Sequence, residues 1–425
     1  MISSKPADPL EAYVWIWLPE QVEPVVAGRL APTPHGLQFN YGQSYLARDD
    51  AISLYSPELP LQRGSLPLLP GLHMPGCLRD ASPDAWGRRV IMNRLLGVSG
   101  QAADTAALTE ICYLLESGSD RIGALDLQCS AAEYVPRLST QATLEELMES
   151  AERVEMGLPL TPALAQALQH GTSIGGARPK AQITDGERKY IAKFSSSTDL
   201  YSVVKVEFVA MRLAALAGIE VAPVKLVHAA AREVLLVERF DRLFTPAGWQ
   251  RKAMVSSLTL LGLDEMMARY ASYAQLAEII RHRFAQPKQM LRELFARLTF
   301  NILCGNTDDH ARNHSAFWDG QQLRLTPAYD ICPQHRAGNE VTQAMLIRGD
   351  NRRSRLDVCV DAADQFLLAG HEACNIIDAQ IDCIRMHWDA VCDEAELTTV
   401  DKALLWQRQF LNPHAFEGYS ISAAG

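Results

Sequence analysis

Aromatic residues are scarce in this chain, 7% of 425, and no apolar run approaches the length needed to cross a bilayer. The opening residues lack a cationic leader followed by an apolar segment. Their one apolar run, Ala12 to Leu18, stops at Pro19 and is expected to be a strand. The nine cysteines include no Cys-x-x-Cys pair, and their number is odd. That argues against a zinc site or a disulfide framework and for buried thiols in a reducing cytoplasm. Positive charge is also short: the net charge of −10 argues against non-specific nucleic-acid binding over the whole surface, leaving room only for a local basic patch. There is no Gly-x4-Gly-Lys-Ser/Thr motif, which disfavours a P-loop NTPase, and no internal repeat or low-complexity segment. What remains, 48% hydrophobic and 21% charged, suits a globular chain of two or three domains.

Residues 12–60 are expected to be strand-rich, with runs at 12–18, 25–30, 36–46 and 51–57 separated by Pro and Gly. The stretch from Arg79 to Gly97 predicts a helix capped by Asp80 or Ser82, and residues 102–118 and 142–155 predict two more. Around Gly171 the character changes. A small-residue loop precedes two strands, Ala181–Thr184 and Lys189–Phe194, with Asp185-Gly186 as the turn between them. Apolar positions at Val206, Val209, Met211, Leu213 and Leu216 predict a helix ending near Gly218. Two strands follow in "APVKLVHA" and "EVLLVERF", and beyond Leu258 the chain reads as mostly helical. The division expected is 1–150, strand-rich; 151–242, a small α+β lobe; and 243–425, a helical lobe.

One stretch stands apart: "GNTDDHARNHSAFWDGQQLRLTPAYD", Gly305 to Asp330, sets acids and amides between apolar segments. Phosphoryl transfer from ATP needs an aspartate to orient the acceptor hydroxyl, an Asn and an Asp to hold magnesium, a strand lysine and a glycine-bearing loop at the phosphates. Asp308 and Asn313 have the five-residue spacing of a kinase catalytic loop. A hairpin turning at Asp319-Gly320 would return Asp330 beside Asn313. Upstream, Lys193 lies on a strand, Glu207 on the next helix is placed to pair with it, and "SIGGARPK" precedes the paired strand. "VERFDR", Val237 to Arg242, joins the two lobes and offers a seat for a flat base. Each piece alone has a plainer reading, as loop, surface charge or helix cap. Together they follow kinase order. His310 and His314 are too few for a tetrahedral zinc site, and oxygen-rich donors favour magnesium.

In these motifs, together with "VEFVAMRLA", "SYLARDDAISLYSP", "SPDAWGRR" and "DRIGAL", the chain resembles the HipA-type serine/threonine kinases, toxins of bacterial type II toxin–antitoxin systems, from about residue 12 to about residue 413. The resemblance implies an α+β, two-lobed protein-kinase-like core related to the phosphoinositide kinases, with a mostly helical C-terminal lobe and an added strand-rich N-terminal subdomain. It implies Asp308 as the catalytic aspartate, Asp309 in a variable position, Asn313 and Asp330 as magnesium ligands and Lys193 at the phosphates. Gly175, Gly176, Ala177, Arg178, Pro179 and Lys180 match the loop over ATP. Glu238, Arg239 and Phe240 match the hinge at the adenine, and His310, the motif's histidine, joins the nucleotide contacts. Ser173 matches an autophosphorylated serine that silences the kinase. Arg312 departs from the family's usual lysine.

The resemblance further implies a cytoplasmic bacterial protein with a dimeric helix-turn-helix antitoxin as partner, DNA contacted mainly through that antitoxin, and a protein substrate such as an aminoacyl-tRNA synthetase. Two other readings stay open on the residues: a non-catalytic antitoxin-binding co-repressor, and a small-molecule kinase on the same fold. An intact set of Lys193, Asp308, Asn313 and Asp330 argues against the first, and the N-terminal motifs against the second.

Overall fold

The first sixty residues build an antiparallel sheet from β1 (Ala12–Ile16), β2 (Val25–Thr33) and β3 (Gly36–Tyr41); β4 (Leu125–Gln128) joins it to give the order β3-β2-β1-β4. The computed structural model describes residues 10–97, 105–137, 142–156, 158, 161, 178–195, 199, 201–229, 232–335, 338 and 340–421. The expected strand at 36–46 ends early, and Gln43–Leu46 turns into a short helix. Residues 51–57 form no strand beyond an isolated bridge at Tyr55. Tyrosine hydroxyls take over the backbone pairing there: Tyr41 donates to the Leu59 carbonyl and accepts from the Leu54 amide, and Tyr45 donates to the Ile52 carbonyl.

The helix expected over 79–97 is broken in two. Gly76–Arg79 forms one turn, and α1 (Ala85–Leu96) starts afresh at Asp84, whose carboxylate accepts from the Gly87 amide. Asp80 is not the cap because both its oxygens are taken by Ser256, each at 2.7 Å. Of the expected helix at 102–118, residues 102–104 lie outside the described residues, and the rest forms a 3-10 turn at Thr105–Ala107 and α2 (Glu110–Glu116), capped by Thr109. α3 (Leu144–Glu155) begins at a reciprocal capping box between Thr143 and Glu146.

The second sheet is also antiparallel, in the order β5-β6-β8-β7: β5 (Lys180–Asp185), β6 (Arg188–Phe194), β7 (Val224–Ala229) and β8 (Arg232–Glu238). Its first turn falls on Gly186-Glu187, one residue later than the Asp-Gly reading, with Gly186 at φ 57°. Leu147, Met148, Ala151 and Val154 of α3 and Trp86 and Val90 of α1 pack against Ala181, Ala192 and Val234 of this sheet. The expected boundary at residue 150 therefore runs through α3, whose apolar face belongs to the small lobe. α4 (Val203–Leu216) buries Val206, Val209, Met211 and Leu213 as the spacing predicts, but leaves Leu216 exposed.

A hairpin, β9 (Arg242–Thr245) with β10 (Gly248–Arg251), leads into a three-stranded sheet of β11 (Met254–Ser256), β12 (Ser315–Trp318) and β13 (Leu323–Leu325). Around it lie α5 (Tyr273–Arg283), α6 (Pro287–Cys304) and α7 (Gly370–Glu394). α6 opens with proline at its first position and buries Leu291, Leu294, Phe295, Leu298 and Ile302. One hydrophobic core runs from Val14 and Phe39 of the first sheet to Leu298 of α6 and Ile377 of α7. Among the described residues no helix is long and apolar enough to cross a membrane. All nine cysteines are free; Cys129 is exposed, Cys374 and Cys383 are half-buried, and the others are buried.

Candidate active site

α6 leads into the candidate stretch. It stops at Gly305, φ 76°, where an added Cβ would lie 2.7 Å from the Gln409 carbonyl oxygen. The chain then runs through Asn306, whose amide donates to Asn301 Oδ1 at 3.0 Å, and Thr307, whose carbonyl accepts from Ala344. A turn closes from the Asn313 amide to the His310 carbonyl at 2.8 Å. A Gly305→Ala variant should therefore lose about 1–3 kcal/mol of stability from the left-handed backbone and the clash together, read as a lowered denaturant midpoint.

The two adjacent acids part ways. Asp309 is 2% exposed, accepts from the Tyr273 hydroxyl and lies 2.9 Å from His314 Nε2. Burial opposes its ionisation, but the His314 and Tyr273 contacts outweigh burial and hold it below the usual carboxylate range. Asp308 is exposed. Partial burial pushes its carboxyl up, against the nearby His310, and the Asp330 and Asp309 charges add to the rise.

Lys193 on β6 reaches Glu207 on α4 at 2.5 Å and also binds Asp330. Glu207 is 3% exposed, so its reading as a plain surface charge is excluded. Burial raises its carboxyl even beside the lysine. Asp330 has φ 58°; burial would raise it, but Lys193, through charge and hydrogen bond, and then Lys180 bring it down to about 2. The β12–β13 hairpin returns this acid to the loop as expected. Tyr329, its neighbour, donates to the Arg312 carbonyl at 2.6 Å, next to Asn313. Asn313 donates its amide nitrogen to the Asp308 carbonyl at 3.3 Å, a bond that does not use its oxygen.

This donor set fits a hard divalent ion. Asp330 and Asn313 present oxygens, while His314 is occupied by Asp309 and Tyr273. No three His, Cys, Asp or Glu among the described residues are grouped to hold a metal by themselves. A magnesium-type ion held by one or two protein oxygens and completed by phosphate and water needs no such group.

The hinge departs from expectation at Arg239. Its guanidinium turns into a buried network with Asp241, Asp120, Gln182 and the Arg121 carbonyl, so it is not a side-chain contact to a nucleotide. Asp120 also binds Lys189 at 2.5 Å and Arg242 at 2.8 Å, and Asp241 accepts from the Gly123 amide at 2.7 Å. The motifs at 120–125 and 237–242, noticed separately, are thus one interlocked structure. Phe240 packs its ring beside Phe317 and Tyr329, and Glu238 pairs at the surface with Arg188. Of the phosphate loop, Ser173, Gly175, Gly176 and Ala177 lie outside the described residues. Arg178 pairs with Asp199 at 2.9 Å, Pro179 accepts from the Phe194 amide, and Lys180 is buried. Sequence reading missed Asp84, which lies 3.6 Å from Lys180; only its place in "SPDAWGRR" marked it.

Family comparisons match this geometry. Residues 172–388 match the HipA-like C-terminal domain and residues 16–128 the HipA N-terminal domain. The chain belongs to the HipA family. Y4mE of Sinorhizobium fredii, which bears a kinase name, is 28% identical over 339 residues, 72% of this chain and 74% of its own length. The serine/threonine-protein kinase toxin HipA of Shewanella oneidensis is 27% identical over 183 residues, 37% of this chain and 42% of its own. A chain in the solved complex of Shewanella oneidensis HipA, HipB and operator DNA has a similar fold, with TM-score 0.69 at 21% identity over 93% of this chain and 96% of its own. That likeness establishes the α+β, kinase-like architecture of the HipA fold for this chain.

Proposed function

We propose that this chain is an ATP- and magnesium-dependent serine/threonine protein kinase, the toxin of a HipA-type toxin–antitoxin pair. One observation carries the reading: exposed Asp308 stands five residues before Asn313 and feels the charge of Asp330, which belongs to the Lys193–Glu207–Asp330 cluster. Kinase names among its relatives support it. Bound Mg-ATP would supply the transferable phosphoryl group and the metal charge at its oxygens. Asp308 orients the acceptor hydroxyl and takes up its proton, and its raised carboxyl suits that work. Lys193 carries positive charge to the phosphates; Glu207, fixed in the core by α4, keeps it aimed. Asn313 and Asp330 are the metal ligands, His310 and the 175–180 loop flank the phosphates, and Glu238 and Phe240 border the adenine.

By family resemblance the protein substrate is a translation component such as an aminoacyl-tRNA synthetase, and Ser173 is an autophosphorylation site. A helix-turn-helix antitoxin is the partner that contacts DNA. A similarly folded chain in a complex with HipB and operator DNA supports this, as does the net charge of −10 here. The working division is an antitoxin-facing N-terminal subdomain to about residue 150, a nucleotide lobe to 242 and a catalytic lobe beyond, in the cytoplasm. Mass spectrometry after incubation with Mg-ATP tests the reading. Phosphate on Ser173 in the wild type and none in Asp308→Ala is the expected result. No phosphate on either, with no nucleotide binding by calorimetry, would sink it in favour of a non-catalytic co-repressor.

A further inference from the structure

Two lysines face each other across the second sheet: Lys180 on β5 is the direct register partner of Lys193 on β6. Like charges directly opposite repel, and both ammonium groups here are largely withdrawn from water. Lys193 is balanced by Glu207 and Asp330. Lys180 also feels Asp330 and Glu207, but the carboxylate that acts on it most strongly comes from the N-terminal subdomain. Asp84 Oδ2 lies 3.6 Å from the Lys180 ammonium, with the two side chains 7% and 4% exposed. Asp84 Oδ1 is committed to the α1 cap at the Gly87 amide, while Oδ2 is buried without a hydrogen bond. Two residues on, the Trp86 indole donates to the Lys180 carbonyl at 3.2 Å. One end of α1 thus holds Lys180 by both head and backbone, at the point where the loop expected over the phosphates enters the sheet.

We infer that Asp84 is a positioning residue for nucleotide binding, supplied by the N-terminal subdomain and acting through Lys180. At 3.6 Å the contact is one of charge, longer than a hydrogen bond. Burial drives Asp84 up and Lys180 down, each toward neutrality, and each opposes the other's drift; Lys193 adds to the pressure on Lys180. Without the acid, a buried ammonium beside a second one would keep only the weaker pull of Asp330 and Glu207 and be held less firmly in place. Its grip on an anionic triphosphate would weaken with it. The inference rests on the kinase reading for the ligand that Lys180 holds.

The test is calorimetric binding of Mg-ATP to the full chain in four forms: wild type, Asp84→Asn, Lys180→Gln and the double variant. Asparagine keeps the cap and the size but removes the charge. Asp84→Asn should weaken binding about tenfold, and the double variant should bind no worse than Lys180→Gln alone, as groups acting in series require. In turnover assays KM for ATP should rise with kcat at saturation little changed. Wild-type affinity in Asp84→Asn, or losses that multiply in the double variant, would overturn the inference. If Asp84→Asn loses its fold, the double variant, with neither charge buried, should regain it. A double variant as unfolded as the single would assign Asp84 to the helix alone and end the idea. A wild type that binds Mg-ATP as tightly as Asp84→Asn does would defeat this inference and leave the kinase reading standing, whereas a wild type that binds no Mg-ATP and transfers no phosphate would defeat both.

Discussion

Asp308→Ala is expected to slow phosphoryl transfer by about 10²–10⁴-fold, with the melting temperature and Mg-ATP affinity close to wild type. The stability half of this expectation follows from exposure: Asp308 stands at the surface, so its loss strips no buried partner. Asp309 should behave in the opposite way. It is enclosed by Tyr273 and His314, and replacing it with Asn removes the charge that both contacts use. Hydrogen bonds to a charged group contribute about 1.5–3 kcal/mol, so Asp309→Asn should unfold at lower denaturant by that amount. Paired assays of transfer and denaturation separate the roles. A folded, inactive Asp309→Asn beside an active Asp308→Ala would reverse the assignment.

The other large effect concerns stability away from the chemistry. Asp120→Ala should cost about 3–5 kcal/mol, because it takes the carboxylate from Lys189 and leaves the buried Arg239 and Arg242 to share Asp241 alone. Urea denaturation measures the loss, and an unchanged midpoint would mean that the cluster is not held together by this acid. The same residues set the acid limit of the fold. Burial opposes ionisation of Asp120, but Arg239, Arg242 and Lys189 keep it well below the usual range. Asp241 is likewise brought to about 2 by Arg239 and Arg242, against its burial. A depressed carboxylate contributes stability that is full above its unfolded value, about 4, and is lost as pH falls through the folded value. Stability of the wild type should therefore drop between about pH 4 and pH 2, and Asp120→Asn should flatten that limb.

Local chemistry was the legible part of this fold. The Gly186 turn, the apolar face of α4 and the 315–325 hairpin follow from patterns within a few residues, where backbone preference and periodicity dominate. The spacing of Asp308 and Asn313 is local too, which is why the candidate loop could be found. Other features depend on partners distant in sequence. Asp80 looked like a cap until Ser256 claimed both its oxygens. Arg239 read as part of an adenine hinge, but the loop at 120–123 offered its guanidinium a buried carboxylate and two carbonyls. Residues 51–57 have strand composition, yet tyrosine hydroxyls from 41 and 45 satisfied the nearby backbone first. Glu207 gave no sign of burial because a helix carries its charged and apolar faces in one string.

The continuous core has a consequence for how the molecule comes apart. Val14 and Phe39 share one apolar interior with Leu298 and Ile377, and Trp86 and Val90 are built into the interior of the small lobe. The two matched sequence regions, 16–128 and 172–388, therefore share buried apolar interiors. A fragment beginning after residue 130 would carry raw apolar surface on both of its lobes, and the first 130 residues alone would lack the partner faces that cover their own. If the shared interiors govern unfolding, heat or denaturant should take the N-terminal region and the rest apart together, which calorimetry would show as one transition.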